Sequence, residues 1–198
     1  MEILIVTGPP SSGKGTQSEI LSKETNFKHI SIDDRCRLEE ENRTEIGKII
    51  SDYQENGKLV PDSVMKDIFD QVIKENKSEA GIILDGFPKT IDQIKGLIKS
   101  IGLKRQKISN IINLEVNKEE LLKRVVNSSS NTSNETEDRD QIMQLKRIEE
   151  FEEYTKPAIH YLKYKFNVLT IDGAGDVNEI AKNIKESVRM SGHTNNPS

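Results

Sequence analysis

The sequence predicts an α/β fold, in which helices cover both faces of a parallel sheet. Short apolar runs alternate with segments of helical periodicity, as is typical of parallel strands buried between helical layers. A glycine-rich segment directly after the first apolar run has the pattern of a phosphate-binding loop. The length of 198 residues is that of one ordinary domain.

Five apolar runs predict the strands of this sheet. Each run is short and is flanked by polar or turn-forming residues, which favours a strand over a buried helix. The four stronger runs are Ile3–Val6, Ile82–Leu84, Ile108–Leu114 and Val168–Ile171, and a weaker one is His29–Ile32.

Four further segments place apolar residues at helical spacing and predict helices. We interpret these stripes as core packing, the usual role of such a face. Gly57 is expected to end the first of these helices, and Asp62 or Ser63 to cap the second. The stripes are Ile46, Ile49, Ile50 and Tyr53; Met65, Ile68, Phe69, Val72 and Ile73; Leu121, Leu122, Val125 and Val126; and Ile180, Ala181, Ile184 and Val188.

Three segments depart from this alternation of strands and helices. Residues 33–60 form a polar helical excursion that is longer than a simple crossover requires. Residues 127–136, "NSSSNTSNET", contain no apolar and no basic residue, so we expect a mobile loop. Residues 191–198 are expected to be a disordered tail.

The composition excludes several classes of function. A net charge of −4 without a basic face gives no support for binding to nucleic acid or to a membrane surface. No apolar stretch reaches the roughly 20 residues of a membrane span. The single cysteine, Cys36, excludes an internal disulfide and a cysteine-rich zinc site. The first strand starts at residue 2 and leaves no room for a signal peptide, so we expect a cytoplasmic protein.

The segment "GPPSSGKGTQ", residues 8–17, predicts a binding site for a nucleoside triphosphate. Its three glycines permit a tight turn that brings backbone N–H groups close to phosphate oxygens. A helix that begins near Lys14 adds its partial positive charge. Lys14 is expected to reach the terminal phosphates, and Thr16 to face Mg²⁺ or a phosphate.

Further motifs follow in order, and together with the phosphate loop they make the chain resemble the adenylate kinase family of nucleoside monophosphate kinases. The resemblance covers nearly the whole chain. The motifs are "HISIDDRCR" (29–37), "GKLVPD" (57–62), "LDGFPKTIDQ" (84–93), "NLEVNKEELLKR" (113–124) and "KRIEEFEEYTKPAI" (146–159).

The resemblance implies the P-loop kinase fold, with a five-stranded parallel sheet in one domain over residues 1–198. It implies two mobile parts, a monophosphate-binding insert at 33–60 and a short, divergent lid at 125–140. It also implies a monomer that transfers the terminal phosphate of ATP to AMP, with Mg²⁺, to give two ADP.

The resemblance assigns the donor half of the site. Arg124 matches an arginine that flanks the ATP adenine, and Gly175 lies where the backbone approaches that base. Asp85 ends a strand at the carboxyl edge of the sheet, where with Thr16 it is expected to orient Mg²⁺, largely through water. Arg147 matches an arginine that bridges both phosphate sites. The implied ATP-binding residues are Ser11, Ser12, Gly13, Lys14, Gly15, Thr16, Arg124 and Gly175.

The resemblance also assigns the acceptor half. Arg37 takes the position of an arginine that holds the AMP phosphate, for which a planar guanidinium is suited. Gln93 matches a glutamine that reads adenine, whereas pyrimidine-specific relatives typically carry asparagine there. The implied AMP-binding residues are Ile32, Arg37, Lys58, Leu59, Val60, Gly86, Phe87, Pro88, Lys89 and Gln93.

Several charged positions depart from the family pattern. Lys89 replaces an arginine, which keeps the charge but loses the planar fork. Ser128 and Thr136 stand where the family has lid arginines. Arg139 lies eight residues before Arg147 on one helical face, and we hypothesise that it supplies part of the lost charge. The implied catalytic set is Lys14, Arg37, Asp85, Lys89, Arg147 and Arg139.

The insert departs as well. Ile32 replaces a threonine near the adenine, a change shared with pyrimidine-specific relatives that opposes the preference indicated by Gln93. Asp33 replaces a glycine and brings a carboxylate towards an anionic substrate. Arg35 and Arg37 are expected to neutralise it.

Two alternatives to an adenylate kinase stay open. One is a kinase with CMP or UMP as acceptor, supported by Ile32. The other is a nucleotide-binding module with weak catalysis, supported by the weakened arginine positions. A P-loop GTPase is disfavoured because the chain lacks an Asn-Lys-x-Asp motif. We interpret His29 as bonding a backbone group.

Overall fold

The computed structural model describes residues 1–55, 58–104, 106–129 and 134–194, and within them it has the predicted α/β architecture. One sheet of five parallel strands has the order β2-β3-β1-β4-β5. The strands are β1 (Glu2–Thr7), β2 (Lys28–Ser31), β3 (Gly81–Asp85), β4 (Lys107–Glu115) and β5 (Val168–Asp172). The helices are α1 (Lys14–Thr25), α2 (Ile32–Glu41), α3 (Glu45–Glu55), α4 (Asp62–Glu75), α5 (Ile91–Lys104), α6 (Lys118–Ser129), α7 (Asn134–Glu150), α8 (Lys156–Lys165) and α9 (Val177–Thr194).

The central strand β1 fixes the position of the phosphate loop. It pairs with β3 on one side and β4 on the other, so that Ile5 lies between Leu84 and Ile111. Ile3 and Ile5 are fully buried, and burial on both faces explains the unbroken apolar run of the sequence. The loop that follows β1 therefore begins at the centre of the sheet's carboxyl edge.

Helices cover the two faces of the sheet with separate apolar clusters. On one face, α2 to α5 and α8 contribute a large cluster that includes Phe69 and Leu97. On the other face, α1 and α9 contribute Leu21, Ile180 and Ile184. The predicted core packing is wrong at single positions of the stripes, because Ile49, Tyr53 and Val126 are exposed.

The strand β2 begins and ends one residue earlier than predicted, and it ends there because a serine starts the next helix. The Ser31 hydroxyl accepts a hydrogen bond from the Asp34 N–H at 3.1 Å, the usual arrangement of a helix N-cap. Ile32 is therefore the first residue of α2 and not the last of the strand. The predicted cap of α4 is also wrong, since Pro61 occupies that position and Asp62 is the first helical residue. Gly57, the predicted end of α3, lies outside the described residues.

The two segments expected to lack structure are partly helical. The helix α6 runs to Ser129 and α7 starts at Asn134, so the loop predicted at 127–136 is wrong at both ends, while 130–133 lie outside the described residues. Tertiary packing overrides weak helix propensity here, because Leu121 and Val125 of α6 pack against Ile148 of α7. The tail prediction is wrong for 191–194, which belong to α9; the Ser191 hydroxyl is buried and accepts a hydrogen bond from Asn110 Nδ2 at 2.6 Å.

A π-helical turn, Phe151–Thr155, joins α7 to α8. The Lys156 N–H donates to the Phe151 carbonyl, five residues earlier. Pro157 follows directly; it has no N–H, and its ring crowds the carbonyl four residues before it. Such wide turns accommodate a proline without breaking the helix and are frequent at functional sites.

Candidate active site

A cavity of about 280 Å³ opens beside the carboxyl end of β1. From β1 the chain passes to β2 and β3 on one side, then crosses to β4 and β5 on the other. Ligands of open α/β sheets bind where the direction changes in this way. The cavity is lined by the phosphate loop, α2, the residues before α4, the segment after β3, α7 and the π-helical turn.

The phosphate loop has a backbone that only certain residues permit. Gly8 has a φ of 145°, and a Cβ atom there would lie 2.6 Å from the Leu114 carbonyl oxygen. Gly13, directly before α1, has a φ of 90°. Ser11 has a φ of 60°, an uncommon conformation for a residue with a side chain, of the kind found at binding sites. The positions of Gly8 and Gly13 in the sequence therefore match the backbone angles that the loop requires.

The loop presents polar groups that lack partners among the residues that the structure describes. The buried Ser12 hydroxyl has no hydrogen-bond partner among the described residues. Within the described part of the chain, no side chain caps the N-terminus of α1, which begins after Gly13. Unpaired N–H groups at a helix start carry partial positive charge and favour anions. This end of the cavity is therefore suited to phosphate oxygens.

Lys14 lies at the same end of the cavity. Its Nζ donates to the Pro9 carbonyl at 2.8 Å. Loss of hydration lowers the pKa of the Lys14 ammonium, and the nearby carboxylates of Asp85 and Asp33 offset part of this change. The loop itself therefore positions the ammonium, which can stabilise a bound anion.

The carboxylate of Asp85 provides the oxygen donors at the end of β3. It is buried, and its Oδ2 lies 3.4 Å from His29 Nε2, so the interpretation of His29 as bonding a backbone group is wrong. A Cβ atom on Gly15 would lie 3.7 Å from the same oxygen. Asp85 and Thr16 near the first turn of α1 fit Mg²⁺, which prefers oxygen ligands and takes few of them from the protein. No group of three or more acidic, histidine or cysteine side chains within the described residues forms a cage for a metal ion.

Arg124 ties the phosphate loop to the loop after β5. Its guanidinium donates to the Ser11 carbonyl at 3.3 Å and to the Gly173 carbonyl at 2.8 Å, while Glu120 pairs with Nε at 3.0 Å. Gly175 lies two residues beyond this contact and has nothing within 4 Å of its Cβ position. The arginine therefore holds two loops together at the edge of the phosphate loop.

Lys89 is paired inside the cavity. Its Nζ lies 2.6 Å from Asp33 Oδ1, and both residues line the cavity. Loss of hydration disfavours both charges, but their mutual attraction outweighs it, so the pKa of Lys89 is raised and that of Asp33 is lowered. The expected neutralisation of Asp33 by Arg35 and Arg37 is wrong, because Arg35 pairs with Glu39 and Glu75, and Arg37 with Asp34.

The amide of Gln93 is held at both ends. Its Oε1 accepts from the Lys89 N–H at 2.7 Å, and its Nε2 donates to Asp62 Oδ1 at 2.8 Å. The same carboxylate oxygen accepts from the Thr90 hydroxyl at 2.9 Å. An amide fixed in this way presents its donor and its acceptor in one orientation only. Asp62, which was predicted as a helix cap, is instead the residue that orients Gln93.

Most of the remaining acceptor candidates also surround the cavity. Lys58, Leu59 and Val60 line it before α4, and Gly86 and Pro88 line it after β3. Phe87 is buried and stacks on Phe69, with ring centroids 5.3 Å apart. Phe87 therefore packs in the core behind Gly86 and Pro88, which line the cavity.

Two of the acceptor candidates, Ile32 and Arg37, do not line the cavity. Ile32 is fully buried in the core because the first turn of α2 packs against the sheet. The side chain of Arg37 is 65% exposed and lies 2.7 Å from Asp34, one turn earlier. Arg139 lies on α7 together with Arg147, as its spacing predicted, but its side chain lies outside the described part of the chain, as do those of Ser128 and Thr136.

Arg147 and the π-helical turn form the cavity wall away from the sheet. Arg147 acts electrostatically on both Lys14 and Asp33. Glu150 and Phe151 also line the cavity, and burial raises the pKa of Glu150. Neither residue was among the candidates predicted from the sequence. Pro157 was the available signal, because a proline disturbs the regular helix at this point.

Cys36 also lines the cavity. Burial, and then the charge of Asp33, raise the pKa of its thiol to about 11. The thiolate is the reactive form of cysteine, so the environment of Cys36 is that of a structural residue.

Alkylation of Cys36 by iodoacetamide is expected to be slow at pH 8 and to accelerate about tenfold per pH unit up to pH 11, since the thiolate fraction rises at that rate below the pKa. The measurement is the rate of mass increase of the intact protein, with glutathione as reference thiol. Rapid alkylation at pH 8 would contradict the assigned environment.

In the part of the chain that the structure describes, every helix is too short or too polar to traverse a bilayer.

The comparisons with known proteins all indicate the same family. The family model described as adenylate kinase matches residues 6–167. An adenylate kinase of Parabacteroides distasonis is 37% identical over 185 residues, covering 93% of this chain and 96% of the relative. An adenylate kinase of Bacteroides thetaiotaomicron is 35% identical, with coverage of 93% and 97%. An adenylate kinase of Methanothrix thermoacetophila is 31% identical, with coverage of 92% and 96%. With a family match over most of its length and these relatives, the chain belongs to the adenylate kinase family.

Proposed function

We propose that the protein transfers the terminal phosphate of Mg·ATP to AMP and forms two ADP. The observation that carries this proposal is one cavity that is lined both by the phosphate loop and by Lys89 and Gln93. Lys14 and Arg147 line the same cavity. A site of this kind can hold donor and acceptor phosphates side by side.

The donor is proposed to bind along the phosphate loop. Backbone N–H groups of Ser11 to Thr16 and the Lys14 ammonium hold its phosphates. Arg124 and the backbone near Gly175 border the place of its base. Asp85 and Thr16 would hold Mg²⁺ through water, and the bound ion would neutralise phosphate charge.

The acceptor is proposed to bind between α2, Lys58–Val60 and the segment after β3. Lys89 takes its phosphate, and Gln93 reads its base. Arg37 joins the phosphate only if its guanidinium leaves Asp34. Closure of the insert at 33–60 is proposed to accompany this change. The lid at 125–140, with Arg139, is proposed to close the other side and exclude water. We further propose a cytoplasmic monomer.

Phosphoryl transfer requires positioning and charge stabilisation more than covalent chemistry. Lys14, Lys89 and Arg147 supply the positive charge around the transferred group. The alternative with CMP or UMP as acceptor rested on Ile32, and the burial of Ile32 in the core removes that support.

The test is transfer from Mg·ATP to AMP, CMP, UMP and GMP in parallel, with EDTA as the metal-free control. We expect ADP to form with AMP at the highest kcat/KM and to disappear with EDTA. Preferred transfer to CMP or UMP would replace the acceptor assignment. Transfer to none of the four by protein that still binds ATP would leave a nucleotide-binding module.

Asp62→Ala is expected to weaken base discrimination. Adenine presents an acceptor beside a donor, and guanine presents the reverse order, so a fixed Gln93 amide distinguishes them. Without Asp62 the amide can turn, and the AMP to GMP ratio of kcat/KM should fall about tenfold, the scale of one lost hydrogen bond.

The control is Asp67→Ala, which removes an exposed carboxylate from the same helix. An unchanged ratio in Asp62→Ala would show that Asp62 does not set the orientation of Gln93.

A further inference from the structure

We propose that Asp33 weakens acceptor binding by competing with the acceptor phosphate for Lys89. The Asp33 carboxylate is paired with the Lys89 ammonium. An acceptor phosphate has to displace the carboxylate in order to bind there. This inference rests on the proposed function, because it concerns the acceptor half of the same site.

Both residues of the pair line the cavity, where the side chain of Lys89 is 29% exposed and that of Asp33 is 52% exposed. Asp33 Oδ1 and Lys89 Nζ are 2.6 Å apart. Asp33 also lies against the segment after β3, since a Cβ atom on Gly86 would be 3.6 Å from its Oδ2. The carboxylate thus stands where the acceptor phosphate must pass to reach Lys89.

The charges that act most strongly on Asp33 are cationic. Lys14 and Arg147 both favour its charged form, and the pKa of Asp33 is held below its ordinary value although loss of hydration acts in the opposite direction. The nearest arginines of its own helix pair elsewhere, Arg35 with Glu75 and Arg37 with Asp34. Asp33 is therefore a carboxylate at neutral pH, and the cations of the cavity are its counter-charges.

The Lys89–Asp33 pair weakens binding of the acceptor's phosphate group and not of its nucleoside part. Lysine offers a compact ammonium and lacks the fork with which an arginine can serve two anions. A bound phosphate either displaces Asp33 from Lys89 or leaves the ion pair intact. In both cases the phosphate and the Asp33 carboxylate repel each other. The nucleoside part of the acceptor carries no charge and meets no such opposition.

The test compares AMP with adenosine as ligands of the wild-type protein and of Asp33→Asn, by isothermal titration calorimetry without ATP. We expect the Kd of AMP to fall about fivefold in Asp33→Asn, the scale of a partly exposed ion pair, while the Kd of adenosine stays constant. In turnover, the KM for AMP should fall and kcat should stay unchanged. Asp33→Ser is expected to behave alike.

The matched control is Asp92→Asn, which removes the carboxylate of the exposed Lys95–Asp92 pair, 2.8 Å apart, and should change neither Kd. An unchanged or weaker affinity of Asp33→Asn for AMP would overturn the inference, and so would equal shifts for AMP and adenosine, which indicate a structural role. If the wild-type protein binds neither ligand, both the proposed function and the inference about Asp33 fail. If both ligands bind and Asp33→Asn leaves both Kd values unchanged, only the inference about Asp33 fails.

Discussion

Lys14→Ala is expected to lower kcat for transfer from ATP to AMP by about 10²- to 10³-fold, the loss typical of one preorganised group that stabilises transition-state charge. The Lys14 ammonium is held 2.8 Å from the Pro9 carbonyl and lies in the field of Asp85 and Asp33. Little reorganisation is needed when charge develops on the transferred group, so its removal should affect kcat more than substrate binding.

The controls separate charge loss from misfolding. Lys23→Ala removes an exposed lysine from the last turn of the same helix and should leave kcat unchanged. Lys14→Arg restores the charge in a wider group and should recover only part of the rate. Initial rates and circular dichroism measure both effects. A folded Lys14→Ala protein with more than about a tenth of wild-type kcat would contradict the role of Lys14.

Phe69→Ala is expected to lower the free energy of unfolding by about 3–5 kcal/mol, the usual cost of removing a buried phenyl ring. Phe69 is 1% exposed, and its ring stacks on Phe87 with an interplanar angle of 16°. Phe87 directly precedes Pro88 and Lys89, so the cavity left behind should also loosen the acceptor wall and raise the KM for AMP.

Chemical denaturation measures the stability change, and kinetics with AMP measure the second effect. Tyr164→Ala is the matched control, because this aromatic side chain is 80% exposed and its removal should cost little. A loss of less than about 1 kcal/mol in Phe69→Ala would show that the site collapses around the missing ring.

The sequence was sufficient to predict the sheet and the position of the phosphate loop. Apolar runs report burial directly, and the glycines of the loop report backbone angles, so both features are local. Gly8 illustrates this, since only a residue without Cβ fits against the Leu114 carbonyl. The convergence of Lys14, Asp85 and Lys89 at one edge then follows from parallel strands in one sheet.

The partners of long polar side chains could not be predicted in the same way. The Lys89–Asp33 pair spans 56 positions of the chain and the Gln93–Asp62 bond spans 31, so no local pattern reports them. The placement of Ile32 was missed for a related reason, because the Ser31 cap decides where α2 begins. The helical ends of the serine-rich segment depend on packing between α6 and α7 and not on composition.

The most direct measurement follows the terminal phosphate of γ-labelled Mg·ATP in the presence and absence of AMP. If donor and acceptor share one cavity, as we propose, the label should appear in newly formed ADP only when AMP is present, with little inorganic phosphate. Label released as inorganic phosphate, or retained in ATP with AMP bound, would contradict this account of the site.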